Sequence, residues 1–295
     1  MRRFSLFICV LITLFPLSTS ASGQILDGIH RQSTLEQPWV IELYTSQGCS
    51  SCPPAEAWLS EFSTESALWN TYFPLAFHVT YWDYLGWKDP YGQKAFSQRQ
   101  YDHLNQRHTR AAYTPQFVVN GAEWRGWFNR DFTPVFTSAA KPVGVLTAAV
   151  LHGELSASFV PSKEQVSANR QLDSAETIQA YRLHFAIVGA GLSTQVTRGE
   201  NRNKQLRHDF AVLQHQVFLP QDKVSALDDK AMFRAAASST KHRFAENSPF
   251  SATALTFSGQ LENVDIAQAP TLAWVVWLEY QGKALQAVGD WLPTL

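Results

Sequence analysis

Cysteine is scarce in this chain: there are three in 295 residues, and one of them, Cys9, sits inside an apolar N-terminal run. A multi-disulfide framework of the kind that staples small secreted domains is therefore excluded. A zinc site built from four cysteines is excluded too, because no second C-x-x-C exists. Methionine is scarcer still, at two, so the methionine-rich character of copper carriers is missing. Charge is sparse and balanced, with 17% charged residues and a net charge of -1, which leaves no basic surface for nucleic acid. Beyond the N-terminus no apolar run reaches membrane length; the best candidate, Leu272 to Tyr280, carries Glu279. Internal repeats and low-complexity segments are lacking as well.

What is present begins with Met1-Arg2-Arg3, an apolar run from Phe4 to Leu17, and then Ser18-Thr19-Ser20-Ala21-Ser22-Gly23. A cationic start, a short apolar stretch and small residues follow the order of a secretory signal. The expectation is cleavage near Ala21, which removes Cys9 and leaves a net charge of -3; an uncleaved N-terminal anchor is the alternative. The mature chain is expected to be periplasmic or extracellular and not membrane-spanning, in an oxidising compartment where a dithiol can cycle.

Roughly 270 mature residues exceed what one compact core usually needs, so two domains are expected after the signal (1–21), at 22–141 and 142–295. In the first, Trp39–Tyr44 reads as a buried strand with one acid, and Pro53 to about Ser63 as a helix with Ala55, Trp58, Leu59 and Phe62 at helical spacing. A second strand is predicted over Phe73–Val79, a loop over Tyr81–Pro90 and a polar helix from Gln93 to His108. Next come a Thr114-Pro115 strand start and an Asn120-Gly121 hairpin, and then a closing helix over Asp131–Lys141. From Val143 the texture changes to short β-forming runs: Val143–Val150, Leu155–Val160, Tyr181–Val188, Ser193–Thr197, Phe210–Leu219, Ala252–Phe257, Leu272–Tyr280 and Ala284–Val288. They predict an all-β antiparallel sandwich. Pro161–Thr177 and Gln221–Pro249 read as polar connections.

Cys49-Ser50-Ser51-Cys52 therefore stands alone in the mature chain, directly after an apolar strand and directly before a helix. The ring it can close is too small to constrain much of the unfolded chain, so redox chemistry is favoured over a structural staple. Attack on a disulfide needs a thiolate, and a helix N-terminus supplies unpaired N–H groups and a positive dipole end to stabilise one. Cys49 is the expected attacking residue and Cys52 the resolving one. His78, Trp82, Asp83 and Trp87 follow the second strand. His78 is a candidate for thiolate stabilisation or proton transfer, with the others framing a peptide or thiol substrate.

The strand with an embedded acid, the C-x-x-C at a helix start, and the Thr-Pro before an apolar strand and Asn-Gly turn together resemble the thioredoxin fold of secreted disulfide oxidoreductases. The resemblance covers roughly Gln37 to Lys141. It implies an α/β thioredoxin-like domain ahead of the β-sandwich, a cis Thr114–Pro115 bond beside the cysteines, and Glu42 as the buried acid that serves the resolving cysteine. More narrowly, Glu42 to Ala55, Phe77 to Pro90 and Tyr113 to Gln116, with Val196 to Arg202, Leu206 and His208 downstream, look like the secreted group labelled domain of unknown function 1223.

The leading expectation is an exported thiol–disulfide oxidoreductase without a cofactor, acting on a protein or small thiol/disulfide and compatible with a membrane redox partner. The alternative is a secreted Cu(I)-binding or copper-delivery protein with Cys49, Cys52 and His78 as ligands. A third reading makes the sandwich a binding module with Arg198 to Lys204 as its contact loop.

Overall fold

The computed structural model describes residues 26, 28–129, 141–168, 175–221, 223–225, 253–262 and 269–293. The predicted signal and cleavage point, most of the predicted closing helix at 131–141 and most of the polar 221–249 stretch lie outside the described residues. The strands are β1 (Ile29–Gln32), β2 (Trp39–Thr45), β3 (Tyr72–His78), β4 (Gln116–Val119), β5 (Ala122–Trp124), β6 (Gly144–Leu151), β7 (Glu154–Pro161), β8 (Tyr181–Ala190), β9 (Leu192–Gln195), β10 (Gln205–His208), β11 (Ala211–Phe218), β12 (Lys223–Ser225), β13 (Thr253–Gln260), β14 (Thr271–Tyr280) and β15 (Lys283–Trp291). The two longest described helices are α1 (Pro53–Ser60) and α2 (Lys94–Asn105). The apolar runs fall where predicted. β1, β10 and β12 have no apolar run of their own and escaped the reading.

β2, β3, β4 and β5 form one end of an eight-stranded sheet in the order β15-β14-β8-β11-β3-β2-β4-β5. The β2–β3 and β3–β11 pairs are parallel, and the rest are antiparallel. A separate antiparallel sheet runs β1-β6-β7-β13-β12, and β9 pairs with β10 alone. The chain is thus mostly β-strand, in mixed and antiparallel sheets. The large sheet crosses the expected border at residue 141, because β11 of the second region joins the edge of β3 at one residue pair, Ala211 opposite Ala76, with the Ala76 N–H donating to Phe210 O at 2.7 Å. An unpaired central edge would expose a row of backbone donors and acceptors. β1 crosses the other way, pairing Ile29 with Val150.

The period-2 alternation of strands divides the apolar residues between two cores. In β14, Trp274, Val276 and Leu278 face the core shared with the five-stranded sheet, which also holds Leu146, Phe159 and Phe257. Ala273, Val275 and Trp277 join the other core, with Phe73, Phe77, Phe96 and Phe117. This double burial explains why β14 reads as an unbroken apolar run rather than an alternating one.

The same alternation puts α1 and α2 on opposite faces. Thr45 of β2 donates to Glu56 of α1 at 2.5 Å. Glu42, three residues earlier and so on the other face, meets α2: Arg99 Nε and Nη2 donate to its two carboxylate oxygens at 2.8 Å each. Arg99 Nη2 also bonds Glu279 of β14, whose carboxylate takes the Trp277 indole N–H at 2.8 Å. Tyr44 Oη donates to Glu42 at 2.7 Å, and the guanidinium lies 5.5 Å from the ring centres of Phe77 and Trp277. Burial alone would raise both carboxyls, but Arg99, then His103 at Glu42 and His184 at Glu279, holds both well below the usual range.

Replacing Arg99 by Ala leaves two buried carboxylates without their cation, and we expect a loss of about 3–5 kcal/mol in urea titrations. Both folded-state values lie below the unfolded value of about 4.3, so the stabilisation is complete above that pH and disappears as pH falls towards the folded values. Equal stability of Arg99→Ala and wild type at pH 7 would remove the network from this account.

Candidate functional site

The chain leaves β2 through Ser46, Gln47 and Gly48 and reaches Cys49, which is joined to Cys52 by a disulfide. Cys52 is the N-cap of α1, with Pro53 and Pro54 in the first turn. Both cysteines are buried, while Ser50 and Ser51 between them are exposed. Ser51 Oγ lies 3.3 Å from Cys49 Sγ. Gly48 is required where it stands: a Cβ there would come within 2.9 Å of Trp82 Cβ.

Two aromatic residues of the following loop flank these cysteines. Trp82 donates its indole N–H to Thr114 Oγ1 at 2.7 Å, next to the cis Thr114–Pro115 bond. Trp87 donates to Gln47 Oε1 at 2.9 Å. The structure therefore ties the Gln47-Gly48 turn that leads into Cys49 to Trp87 and Trp82, and through Trp82 to Thr114. Asp83 stays at the rim, half-buried, accepting a 3.4 Å contact from the Asp89 N–H, and partial desolvation raises its carboxyl.

A distant segment clamps the loop. Asn201, fully buried, donates from Nδ2 to the carbonyls of Gln47 and Cys49 at 3.0 and 2.8 Å, and Lys204 Nζ donates to its Oδ1 at 3.0 Å. Glu200 accepts the Ser50 N–H at 2.8 Å, which lowers its carboxyl.

Beneath the cysteines lies a buried polar group. Glu56 stands one helical turn after Cys52, on the same face of α1. It accepts hydrogen bonds from Thr45 Oγ1 and from His208 Nδ1. Gln47 fixes the His208 tautomer: its Oε1 is taken by Trp87, so its NH2 donates to His208 Nε2 at 2.9 Å, and the ring hydrogen must sit on Nδ1. Burial alone would raise Glu56, yet His208, and then His78, lowers it. His78, at the end of β3 beside Thr45, bonds through Nδ1 to Asp89 Oδ2 at 2.8 Å. Asp89 also accepts the Gln47 and Tyr91 N–H groups at 2.8 and 3.0 Å. Burial would depress His78, but Asp89 and then Glu56 raise its pKa, and its Nε2 is buried without a hydrogen-bond partner among the described residues.

Glu42 does not belong to this group. The resemblance gave it the buried-acid role, but the strand's alternation sends it to the opposite sheet face, where Arg99, Tyr44 and His103 occupy its oxygens. Glu56 holds the position next to the resolving cysteine. Nor does either cysteine sulfur join the buried set of potential metal-ligating atoms: among the described residues that set is Glu56, His78 and His208. From the sequence, Glu56 had no assigned role, Asp89 and His208 figured solely in the family resemblance, and Asn201 there and in the Arg198 to Lys204 contact loop. The i,i+4 spacing of Cys52 and Glu56 was a usable signal; the other contacts span from 42 to 161 residues or join loop to strand, and spacing cannot reveal them.

A family model described as a protein of unknown function, DUF1223, matches residues 40–247. No curated protein matches the chain. Among solved structures, a protein from Agrobacterium tumefaciens is 19% identical, with a TM-score of 0.50 over 88% of this chain and 96% of that one. HBP35 of Porphyromonas gingivalis is 12% identical, with a TM-score of 0.49 over 88% and 76% of the two chains. At these identities the first is a likeness of fold alone, and the second carries no weight.

Truncating Asn201 to Ala strips a donor from two buried carbonyls. We expect a loss of about 1–3 kcal/mol in urea unfolding of the oxidised protein, together with several-fold faster reduction of Cys49–Cys52 by dithiothreitol. An unchanged reduction rate would show that the clamp does not control access.

Proposed function

The chain belongs to the DUF1223 family of proteins of unknown function, and we propose that it is an exported thiol–disulfide exchange protein whose reacting pair is Cys49 and Cys52. One observation carries the reading: Cys49 and Cys52 are joined across an exposed Ser-Ser turn at the start of α1, with Asn201 donating to the Cys49 carbonyl and Gly48 against Trp82, which bonds Thr114. The order of β2, the cysteine pair, α1, the parallel strand β3, Thr114-Pro115, and the antiparallel β4 and β5 supports a thioredoxin-like reading of this region. Export rests on the sequence of Met1 to Gly23.

In the oxidised protein a substrate thiolate attacks Cys49 Sγ. The new sulfur–sulfur bond forms as Cys49–Cys52 breaks, and Cys52 leaves as a thiolate that takes up a proton. A second substrate thiolate then attacks its own sulfur in the mixed disulfide and releases the Cys49 thiolate. The substrate is oxidised by two electrons and the protein ends as a dithiol; reduction of a substrate disulfide is the reverse. The exposed Ser51 hydroxyl beside Cys49 can donate to the thiolate form. Glu56, on the Cys52 face of α1, supplies the nearby buried carboxylate that the exchange of a proton at Cys52 calls for.

Trapping tests this directly. In the export compartment, Cys52→Ala is expected to accumulate mixed disulfides through Cys49 that dithiothreitol releases, whereas Cys49→Ala accumulates none. Absence of adducts with Cys52→Ala, together with a Cys49 pKa near the free-cysteine value of about 8.5, would overturn the reading. A measured reduction potential assigns the direction of flux.

A further inference from the structure

The exchange reading uses Glu56 and leaves His78 and His208 unexplained. One ligand-capable atom from each of them and one from Glu56 lie within 4.8 Å of one another, and all three side chains are buried. His78 is arranged as metal-binding histidines are: one ring nitrogen, Nδ1, donates to a carboxylate, Asp89, which fixes the ring's orientation, and the other, Nε2, is the nitrogen at which a cation can replace a proton. Its Nε2 is fully buried and has no hydrogen-bond partner among the described residues, an arrangement that is costly unless something binds there.

We propose that Glu56, His78 and His208 form a binding site for a divalent transition-metal ion of the zinc type, with His78 Nε2, His208 Nδ1 and a Glu56 oxygen as ligands. Two imidazoles and one carboxylate match the donor preference of Zn2+ and leave a fourth position for water or an outside ligand. Ligands at about 2.0–2.2 Å from zinc stand roughly 3.4 Å apart in a tetrahedron, so the group closes through side-chain movement and not through the backbone. The buried carboxylates of Glu56 and Asp89 balance the dication, as buried charge requires.

Occupancy has a structural consequence. The hydrogen on His208 Nδ1 is donated to Glu56, and the cation takes its place. The ring's remaining hydrogen then sits on Nε2, facing the Gln47 NH2 group. Gln47 must turn its Oε1 to the ring, and the Trp87 indole N–H loses its acceptor. The metal is therefore sensed at Trp87, in the loop beside the cysteines, whether or not they exchange disulfides.

The test uses the whole exported chain with its disulfide intact, freed of metal by a chelator and titrated with Zn2+ alone by calorimetry and with Co2+ alone by absorption. We expect one equivalent per chain, cobalt d–d bands without sulfur-to-metal charge transfer, and a tryptophan fluorescence change that Trp87→Phe abolishes. His78→Ala and Glu56→Gln are expected to weaken uptake at least 100-fold, and Asp89→Asn about 10–100-fold. The Cys49→Ser/Cys52→Ser protein is expected to bind as wild type does, which separates this site from the exchange reading and from a cysteine-ligated ion. Circular dichroism and thermal scans establish that each variant folds. No uptake by wild type overturns the proposal without recourse to any variant. Uptake retained in folded His78→Ala, or lost with the cysteines, overturns it as well.

Discussion

Arg99, buried between Glu42 and Glu279, is the constraint on which the rest of the molecule depends. Its helix lies across the sheet, and its guanidinium joins β2 near one end to β14 near the other, over the rings of Phe77 and Trp277. Two carboxylates and a guanidinium cost a great deal to take out of water, and apolar replacements of similar volume could give as much stability. What the charges contribute is register: a one-residue slip of β2 or β14 would turn its carboxylate to the opposite face, away from Arg99. The C-terminal ends of β2 and β3, and with them Thr45, His78 and the cysteine loop, are placed by that register.

The candidate site is assembled from segments far apart in the chain. Gln47 illustrates this: its backbone N–H holds Asp89, its carbonyl receives Asn201, and its side chain joins Trp87 to His208. The residues around Cys49 are thus joined to the buried group below through one side chain whose amide orientation is dictated from both ends. The β3–β11 pairing makes this possible, because it carries the 197–208 segment over the cysteine loop instead of leaving it in a separate domain.

Much of the fold was legible because its signals are local. Ala55, Leu59 and Phe62 repeat at helical spacing and are buried; Trp39–Thr45 and Thr271–Tyr280 are apolar but for Glu42, Thr45, Thr271 and Glu279, and lie almost wholly buried inside the large sheet. The short polar β10 carries no apolar pattern, yet it brings His208 to the site. The expected division near residue 141 followed chain length and a change of texture, and neither signal reveals that β3 pairs with β11.

The sequence by itself determined that Cys49 and Cys52 are the only cysteines outside the N-terminal apolar run that holds Cys9, that they open a helix after an apolar strand, and that Trp82, Trp87 and Thr114-Pro115 follow in the chain. Those conclusions need only spacing, propensity and count. The tertiary structure alone decided which acid lies beneath the cysteines. Side-chain direction in β2 alternates residue by residue, but the face that receives α1 depends on contacts outside the strand. Once Thr45 meets Glu56, Glu42 is committed to Arg99 on the far side, and the buried neighbours of the disulfide become Glu56, His78 and His208.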